Sequence, residues 1–212
     1  MPVSRSRRVG PQMRSASFER FAGACAILTA IAAFLYALAF VLVQEELLSV
    51  LFLMLMGLLS TAVLVAVYGR LRDTDASFAL LALVLGVAGA LGSAVHGGFD
   101  LANAVNPPAS TLEEIPNPID PRGLLTFGVA GVALLVVGWL VVRGRRFPIV
   151  VGYLAYLSAI LLVVLYLGRL IVLDPTNPVI LLPALLNGFL INPAFYLLVG
   201  MSLLSGRGAS TE

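Results

Sequence analysis

The chain predicts an all-α fold of the polytopic membrane class, with six transmembrane helices and both termini on the cytoplasmic side. Three observations predict it. Of the 212 residues, 60% are hydrophobic and 11% charged, with a mean hydropathy of +1.02, whereas soluble domains carry charge on about a quarter of their residues. Several apolar runs exceed the roughly 20 residues that cross about 30 Å of hydrocarbon. The 13 basic residues are all arginine and fall unevenly on alternate loops. Eleven lie in the amino-terminal tail, at Arg70 and Arg72, at Arg143, Arg145 and Arg146, and at Arg207, against Arg122 and Arg169 on the other side. Basic loops stay cytoplasmic, so the count sets an N-in, C-in topology.

Each element follows in order. Residues 1–17 carry Arg5, Arg7, Arg8 and Arg14 and no acid, which reads as a disordered cytoplasmic tail. The apolar run behind it, 21–43, is too long for a cleavable signal segment and no small-residue cleavage site follows, so it is a retained first helix. Gln44, Glu45 and Glu46 end it, and the second helix, 47–68, folds back as an antiparallel hairpin. Gly69 to Asp73 stop that helix. The third helix runs from 78 to about 104 and ends in the stretch from Leu91 to Asn106. Residues 106–122 contain five prolines, and residues before proline avoid helix, so this is an extended external loop. The fourth helix, 124–142, closes on three arginines. The fifth, 149–173, begins after Pro148. The sixth, 179–204, is interrupted by Pro183 and by Asn192-Pro193. The transmembrane domain therefore spans 18–205, with a short cytoplasmic tail over 206–212. No internal repeat of the two halves is evident.

The residues that stand out lie at one end. His96, the single histidine, is followed by Asp100 and Asn103 at i+4 and i+7, so the three share one face of a helix with Gly89, Gly92 and Ser93. At 1.5 Å per residue His96 lies about 27 Å along the third helix, and Arg169 about 30 Å along the fifth, with Tyr166 one turn below it. Both levels are external, which makes Asp100 and Arg169 expected partners. These side chains read in two ways. They form an interfacial belt of helix ends and snorkelling arginines, or they line an outward-facing pocket of His96, Asp100, Asn103, Tyr166 and Arg169 beneath the proline-rich loop. In that pocket a histidine of ordinary pKa near 6.5 beside a carboxylate is a proton-responsive pair. Asn187, about 12 Å into the sixth helix, is a further candidate ligand-binding residue, although an asparagine at that depth normally hydrogen-bonds a neighbouring helix. Gly23, Ala26, Ala30, Ala33 and Ala37 in the first helix, Gly86, Gly89, Ser93 and Gly97 in the third, and Gly128 and Gly131 in the fourth form small-residue ladders for close helix packing.

Several chemistries are excluded. Without lysine there is no retinal or pyridoxal Schiff base. Cys25 is the single cysteine, so no intrachain disulfide forms. One histidine builds neither bis-histidine haem ligation nor a multi-histidine zinc site. Phosphate-cradling glycine loops, HExxH and GxSxG are absent from the sequence. No catalytic residue, metal, cofactor or nucleic-acid partner is expected, and the arginine clusters act as topology signals that attract anionic lipid. Abundant Ala, Gly, Val and Leu without lysine suggest a GC-rich bacterial genome.

Three stretches carry a resemblance. Arg20-Phe21-Ala22-Gly23 leads into the first helix, Val67-Tyr68-Gly69-Arg70-Leu71-Arg72 leaves the second, and Pro193-Ala194-Phe195-Tyr196 with Gly200 closes the sixth. Over nearly its whole length the chain resembles a broad set of small, uncharacterised bacterial integral membrane proteins. That resemblance implies an all-α bundle of six or seven helices in the bacterial inner membrane, and it transfers no catalytic residue.

Three functions are weighed. The first is a non-enzymatic binding or accessory subunit whose outward-facing pocket takes a small amphiphile or a partner membrane subunit. The others are a small proton-coupled transporter and an intramembrane enzyme acting on a lipid or quinone-like substrate. A closed outer cup favours binding and a polar path through the bundle favours transport.

Overall fold

The computed structural model describes residues 11–106, 122–172, 174 and 176–206, with side chains from residue 16 onward. The ends of both expected tails, and residues 107–121 of the expected external loop with their prolines, lie outside the described residues. The described chain is helical throughout. Its elements are α1 (Pro11–Ala37, continued by a π-helical turn Leu38–Val43), α2 (Glu46–Leu71), α3 (Ala76–Val105), α4 (π-helical Leu124–Val129, then Ala130–Gly144), α5 (Ile149–Ile171) and α6 (Pro178–Leu186, a π-helical turn Asn187–Ile191, then Asn192–Leu204). All six are long and apolar enough to cross a membrane. The expected helices are therefore present, although α1 begins at Pro11, inside the segment expected to be a disordered tail.

Local chemistry explains the boundaries. Asp75 caps α3 by accepting from the amides of Ser77 and Phe78, both at 3.1 Å, which satisfies donors that the first turn leaves free. Asn177 does the same for Val179 at 3.0 Å, with Pro178 at the first helical position, where a missing N–H costs nothing. The hairpin between α1 and α2 turns on Gln44, held at φ 57°. The break in α6 has a cause too. Pro193 cannot donate to a carbonyl four residues back, and the wider turn at Asn187–Ile191 absorbs that loss. Pro183 stays within the regular first part of α6.

The helices pack in chain order, each on its neighbours, and α6 returns to α1, closing a ring. Small residues set the spacing. A Cβ on Gly57 of α2 would stand 2.5 Å from the Ala90 carbonyl oxygen of α3, and one on Gly97 of α3 would stand 2.5 Å from the Val50 carbonyl oxygen of α2. Gly23 and Gly200 bring α1 and the second half of α6 together, a Cβ on Gly200 standing 2.9 Å from the Gly23 carbonyl oxygen. In lipid such contact supplies the packing that a hydrophobic driving force cannot.

The two ends of the ring differ. At the end carrying Arg70, Arg143 and Arg146, the interior is filled by one apolar cluster that includes Val63, Val67, Leu71, Leu140, Phe147, Phe195, Val199 and Leu203. An arginine network sits there too. Arg70 donates from Nε and Nη2 to the Glu19 carboxylate at 3.2 and 2.8 Å, and from Nη1 to Ser202 at 3.4 Å. Its guanidinium also lies 5.2 Å from the Phe147 ring centre. One side chain thus ties α1, α2, α6 and the connection before α5 together. At the opposite end the interior bounded by the described residues is open.

Candidate functional site

The opening is a cup of about 530 Å³ lined by Tyr36 and Phe40 of α1, Gln44 and Glu45 of the hairpin, Glu46, Ser49, Val50 and Leu53 of α2, His96 and Asp100 of α3, and Arg169 of α5. Helix geometry positions each. Leu53 lies seven residues into α2 and so forms an apolar floor about 10 Å below that helix's start. Tyr36 and Phe40, one turn apart, stack with ring centres 5.7 Å apart and planes 17° apart. They stand as one aromatic wall.

A charged chain crosses the cup's α3 side. Arg122 Nη1 donates to Asp100 Oδ1 at 2.7 Å, and His96 Nε2 lies 3.3 Å from Asp100 Oδ2. His96 Nδ1 lies 3.5 Å from the Thr126 hydroxyl, which itself donates to the Arg122 carbonyl at 3.1 Å. Having given its proton to that carbonyl, Thr126 faces the imidazole as an acceptor. With a proton on each ring nitrogen, His96 therefore has an acceptor on both sides. Arg122 is further held over Phe99, 4.8 Å from the ring centre.

This arrangement corrects the pairing expected from sequence. Asp100 and Arg169 face the same cup, but the carboxylate's arginine is Arg122. The Arg169 guanidinium instead lies over the Phe127 ring, at 5.8 Å from its centre. The reason is reach. Arg122 stands at the start of α4, beside the last turns of α3, whereas Arg169 approaches from α5.

The structure brings together three of the six residues singled out by sequence, His96, Asp100 and Arg169. The other three lie outside the cup's lining. Tyr166 turns its ring toward α4, with Cδ1 3.2 Å from where a Cβ on Gly128 would stand. Asn103 is half-buried on the last turn of α3. Asn187 is buried, and its Oδ1 accepts from the Ser158 hydroxyl of α5 at 2.7 Å. That bond anchors the broken turn of α6 to α5.

Sequence reading missed Tyr36, Phe40, Glu45 and Glu46 as cup residues, and Arg122 and Thr126 as the partners of Asp100 and His96. The signal for two of them was present. Arg122 and Thr126 are i and i+4 at the start of α4, at the level of Asp100. The aromatic wall had no polar marker, and the two glutamates read only as the end of a hairpin.

Ser49 of the lining donates to the Glu46 carbonyl at 2.8 Å, and Thr126, beside His96, donates to the Arg122 carbonyl at 3.1 Å. Neither offers a free proton to the imidazole as an activated nucleophile would. Among the described residues no group of three His, Cys, Asp or Glu side chains is placed to hold a metal ion.

Below the cup, one turn further along α3, lies a smaller void of about 70 Å³ lined by α2, α3, α4 and α6, with Ser60, Ser93, Asn192 and Tyr196 as its polar members. Beyond it the apolar cluster closes the bundle. No protein family matches this chain, nor does any curated protein or solved structure.

Proposed function

We propose that this is a multi-pass protein of the bacterial inner membrane, of the uncharacterised class it resembles, which binds a small amphiphile in an outward-facing cup and performs no chemistry on it. One observation carries the reading. A cup of about 530 Å³ with an apolar floor and charged walls opens at one end of the ring, while the other end is packed with apolar side chains. That volume falls within the roughly 300–1,000 Å³ of small-molecule sites, and the mixture of apolar and polar lining is theirs as well. A partner membrane helix seated on the cup is the other occupant this reading admits. With the arginine-rich end in the cytoplasm, as the loop charges require, the cup faces out and both termini face in.

Two experiments test it. Reporter fusions after Arg72, Arg146 and Glu212 read cytoplasmic, and fusions within 107–118 read external; a cytoplasmic reading for that loop overturns the orientation. For binding, purified protein is melted in detergent with short-chain alkyl phosphates, alkyl amines and alkyl alcohols. At least one class raises the melting temperature in wild type, and the rise is lost in Leu53→Trp, which fills the floor, and in His96→Ala. An unchanged melting temperature with all three classes overturns the cup as a ligand site.

The second reading, a small proton-coupled transporter, is favoured by the separate void beneath the cup, which reaches Asn192 beside the break in α6. Interrupted helices line transporter cavities because their freed backbone groups meet the substrate. Proton-coupled uptake into vesicles by the purified chain establishes that reading, and its absence leaves binding.

A further inference from the structure

The wall of the cup between α1 and α5 is where α6 belongs in the ring, yet no α6 side chain lines the cup. The break in α6 explains this. The second half of α6 is packed tightly on α1, through Gly200 against Gly23. The contact continues up to the π-helical turn, where Phe189 meets Phe34 edge to face at 5.6 Å and a Cβ on Gly188 would stand 2.9 Å from that of Ala37. Beyond the turn the partner changes. The first half, Pro178–Leu186, packs on α5, where a Cβ on Gly168 would stand 3.1 Å from Ile180 Cγ1. Leu182 and Leu186 are exposed, as is Phe40 on the facing side of α1. In its most apolar stretch α6 is the least enclosed of the six helices, with 28% of that stretch buried against 39–44% for the other five. The α1–α6 seam is therefore shut at mid-membrane and open above it, beside the aromatic wall.

This seam lies within the spanning segments, so what stands against it is lipid. Resting on the cup reading above, we propose that the cup takes the polar head of a bilayer phospholipid sideways through the α1–α6 seam, with the acyl chains remaining between Phe40 and the first half of α6. The charges select the head. Asp100 is occupied by Arg122, which among the described residues leaves Arg169 as the cup cation without a carboxylate and Glu45 and Glu46 as the acids at its rim. Arg169 stands two residues from the end of α5, at the depth of lipid phosphates, and guanidinium is suited to phosphate. Two carboxylates beside stacked aromatic rings suit an ammonium group. Phosphate and ammonium together describe a zwitterionic head with an amine, such as phosphoethanolamine, in preference to a purely anionic one.

The test uses the full chain, stripped of lipid in detergent, with short-chain phosphatidylethanolamine, short-chain phosphatidylglycerol and water-soluble glycerophosphoethanolamine as probes, and reads the melting temperature against probe concentration. Phosphatidylethanolamine is expected to bind about tenfold tighter than phosphatidylglycerol, the worth of one charge-assisted contact, and at least about tenfold tighter than glycerophosphoethanolamine, which keeps the head and lacks the acyl chains. Arg169→Gln weakens it and Arg169→Lys restores part of the loss. The double change Glu45→Gln with Glu46→Gln removes the preference over phosphatidylglycerol. Equal binding of glycerophosphoethanolamine overturns the sideways route and leaves a cup open only to water. Equal binding of the two lipids overturns the head assignment. Should alkyl amphiphiles bind and no probe here do so, the lipid proposal falls while the cup stands. If nothing binds in either experiment, both fall.

Discussion

Both ends of this bundle hold an arginine bonded to a carboxylate, and the two pairs have opposite settings. At the closed end Arg70 is 8% exposed and its fork takes both oxygens of Glu19, with Ser202 and Phe147 completing the shell. At the open end Arg122 and Asp100 are 28% and 25% exposed and share one bond, with the second carboxylate oxygen left to His96. An arginine with a carboxylate acts as a staple where four elements converge and as a cavity wall where they diverge. What differs is the surrounding apolar packing. Val67, Leu71, Leu203 and Phe147 enclose one pair, while a cup of about 530 Å³ borders the other.

The largest effect that can break this comparison is at the staple. Glu19→Ala leaves Arg70 buried without its counter-charge, and removing one partner of a buried pair costs about 3 kcal/mol or more. Arg70→Met leaves the half-buried Glu19 partly hydrated and costs less. The double variant recovers much of the loss, because an apolar side chain fills the same space. Unfolding in detergent measures all three. Equal, small effects from every variant would mean that the closed end is held by its apolar core alone.

Next in size is the spacing of α2 and α3 beneath the cup. Gly97→Ala places a methyl 2.5 Å from the Val50 carbonyl oxygen and 2.6 Å from the Met54 nitrogen. Both are backbone atoms with no rotamer to yield, so the helices separate at a cost of about 1–3 kcal/mol. Gly69→Ala, on the same helix pair at the closed end, meets nothing within 4 Å. It gains up to about 1 kcal/mol of helix propensity. Opposite signs from one chemical change sharpen the contrast, and matching signs remove it.

A smaller effect decides which arginine serves Asp100. In double-mutant cycles Asp100→Asn with Arg122→Gln is expected to show a coupling of up to about 1 kcal/mol, typical of a partly exposed pair. The cycle with Arg169→Gln shows none. Coupling to Arg169 instead would restore the partnership that depth along the helices suggests.

That case shows how much was legible in the sequence. Apolar run length exposed all six helices, because crossing hydrocarbon demands a minimum length whatever the packing. The level of His96, Asp100 and Arg169 was legible for the same reason, since 1.5 Å per residue converts position into depth. Azimuth was not. Whether Tyr166 turns to α4 or into the cup depends on ring order and on how close Gly128 lets its neighbour come. Whether Arg122 or Arg169 reaches Asp100 depends on which helix stands beside α3. The staple was hidden in plain view. Arg70 was read as a topology signal and Glu19 was not singled out, although the α1–α2 hairpin places them at one end; only the return of α6 to α1 adds Ser202 to the pair. The kink expected at Asn192-Pro193 is present one turn earlier as a wide turn, and its effect on the α1–α6 seam depends on packing that no spacing rule contains.

The smallest expected effect lies in the connection that holds the first half of α6. Asp174 is fully exposed, and its carboxylate accepts from the Thr176 hydroxyl at 2.7 Å and the Thr176 amide at 2.9 Å. Those bonds favour the charged form and hold its pKa below the ordinary carboxylate value, the side-chain bond contributing most. A depressed folded-state pKa means that the turn's stabilisation is present above the ordinary value and is lost as pH falls through the lowered one. The turn leads directly to Asn177 and Pro178, so its loosening is read at the amides of Val179 and Ile180, which bond to Asn177. At neutral pH those amides exchange hydrogen faster in Thr176→Val than in wild type. Below the lowered pKa the two proteins exchange alike, because wild type has lost the same bonds by protonation. At the closed end, the amide of Arg72, bonded to Tyr68, exchanges identically in both proteins at every pH. A difference between the variants that persists in acid would show that Thr176 acts through its shape and not through the Asp174 carboxylate.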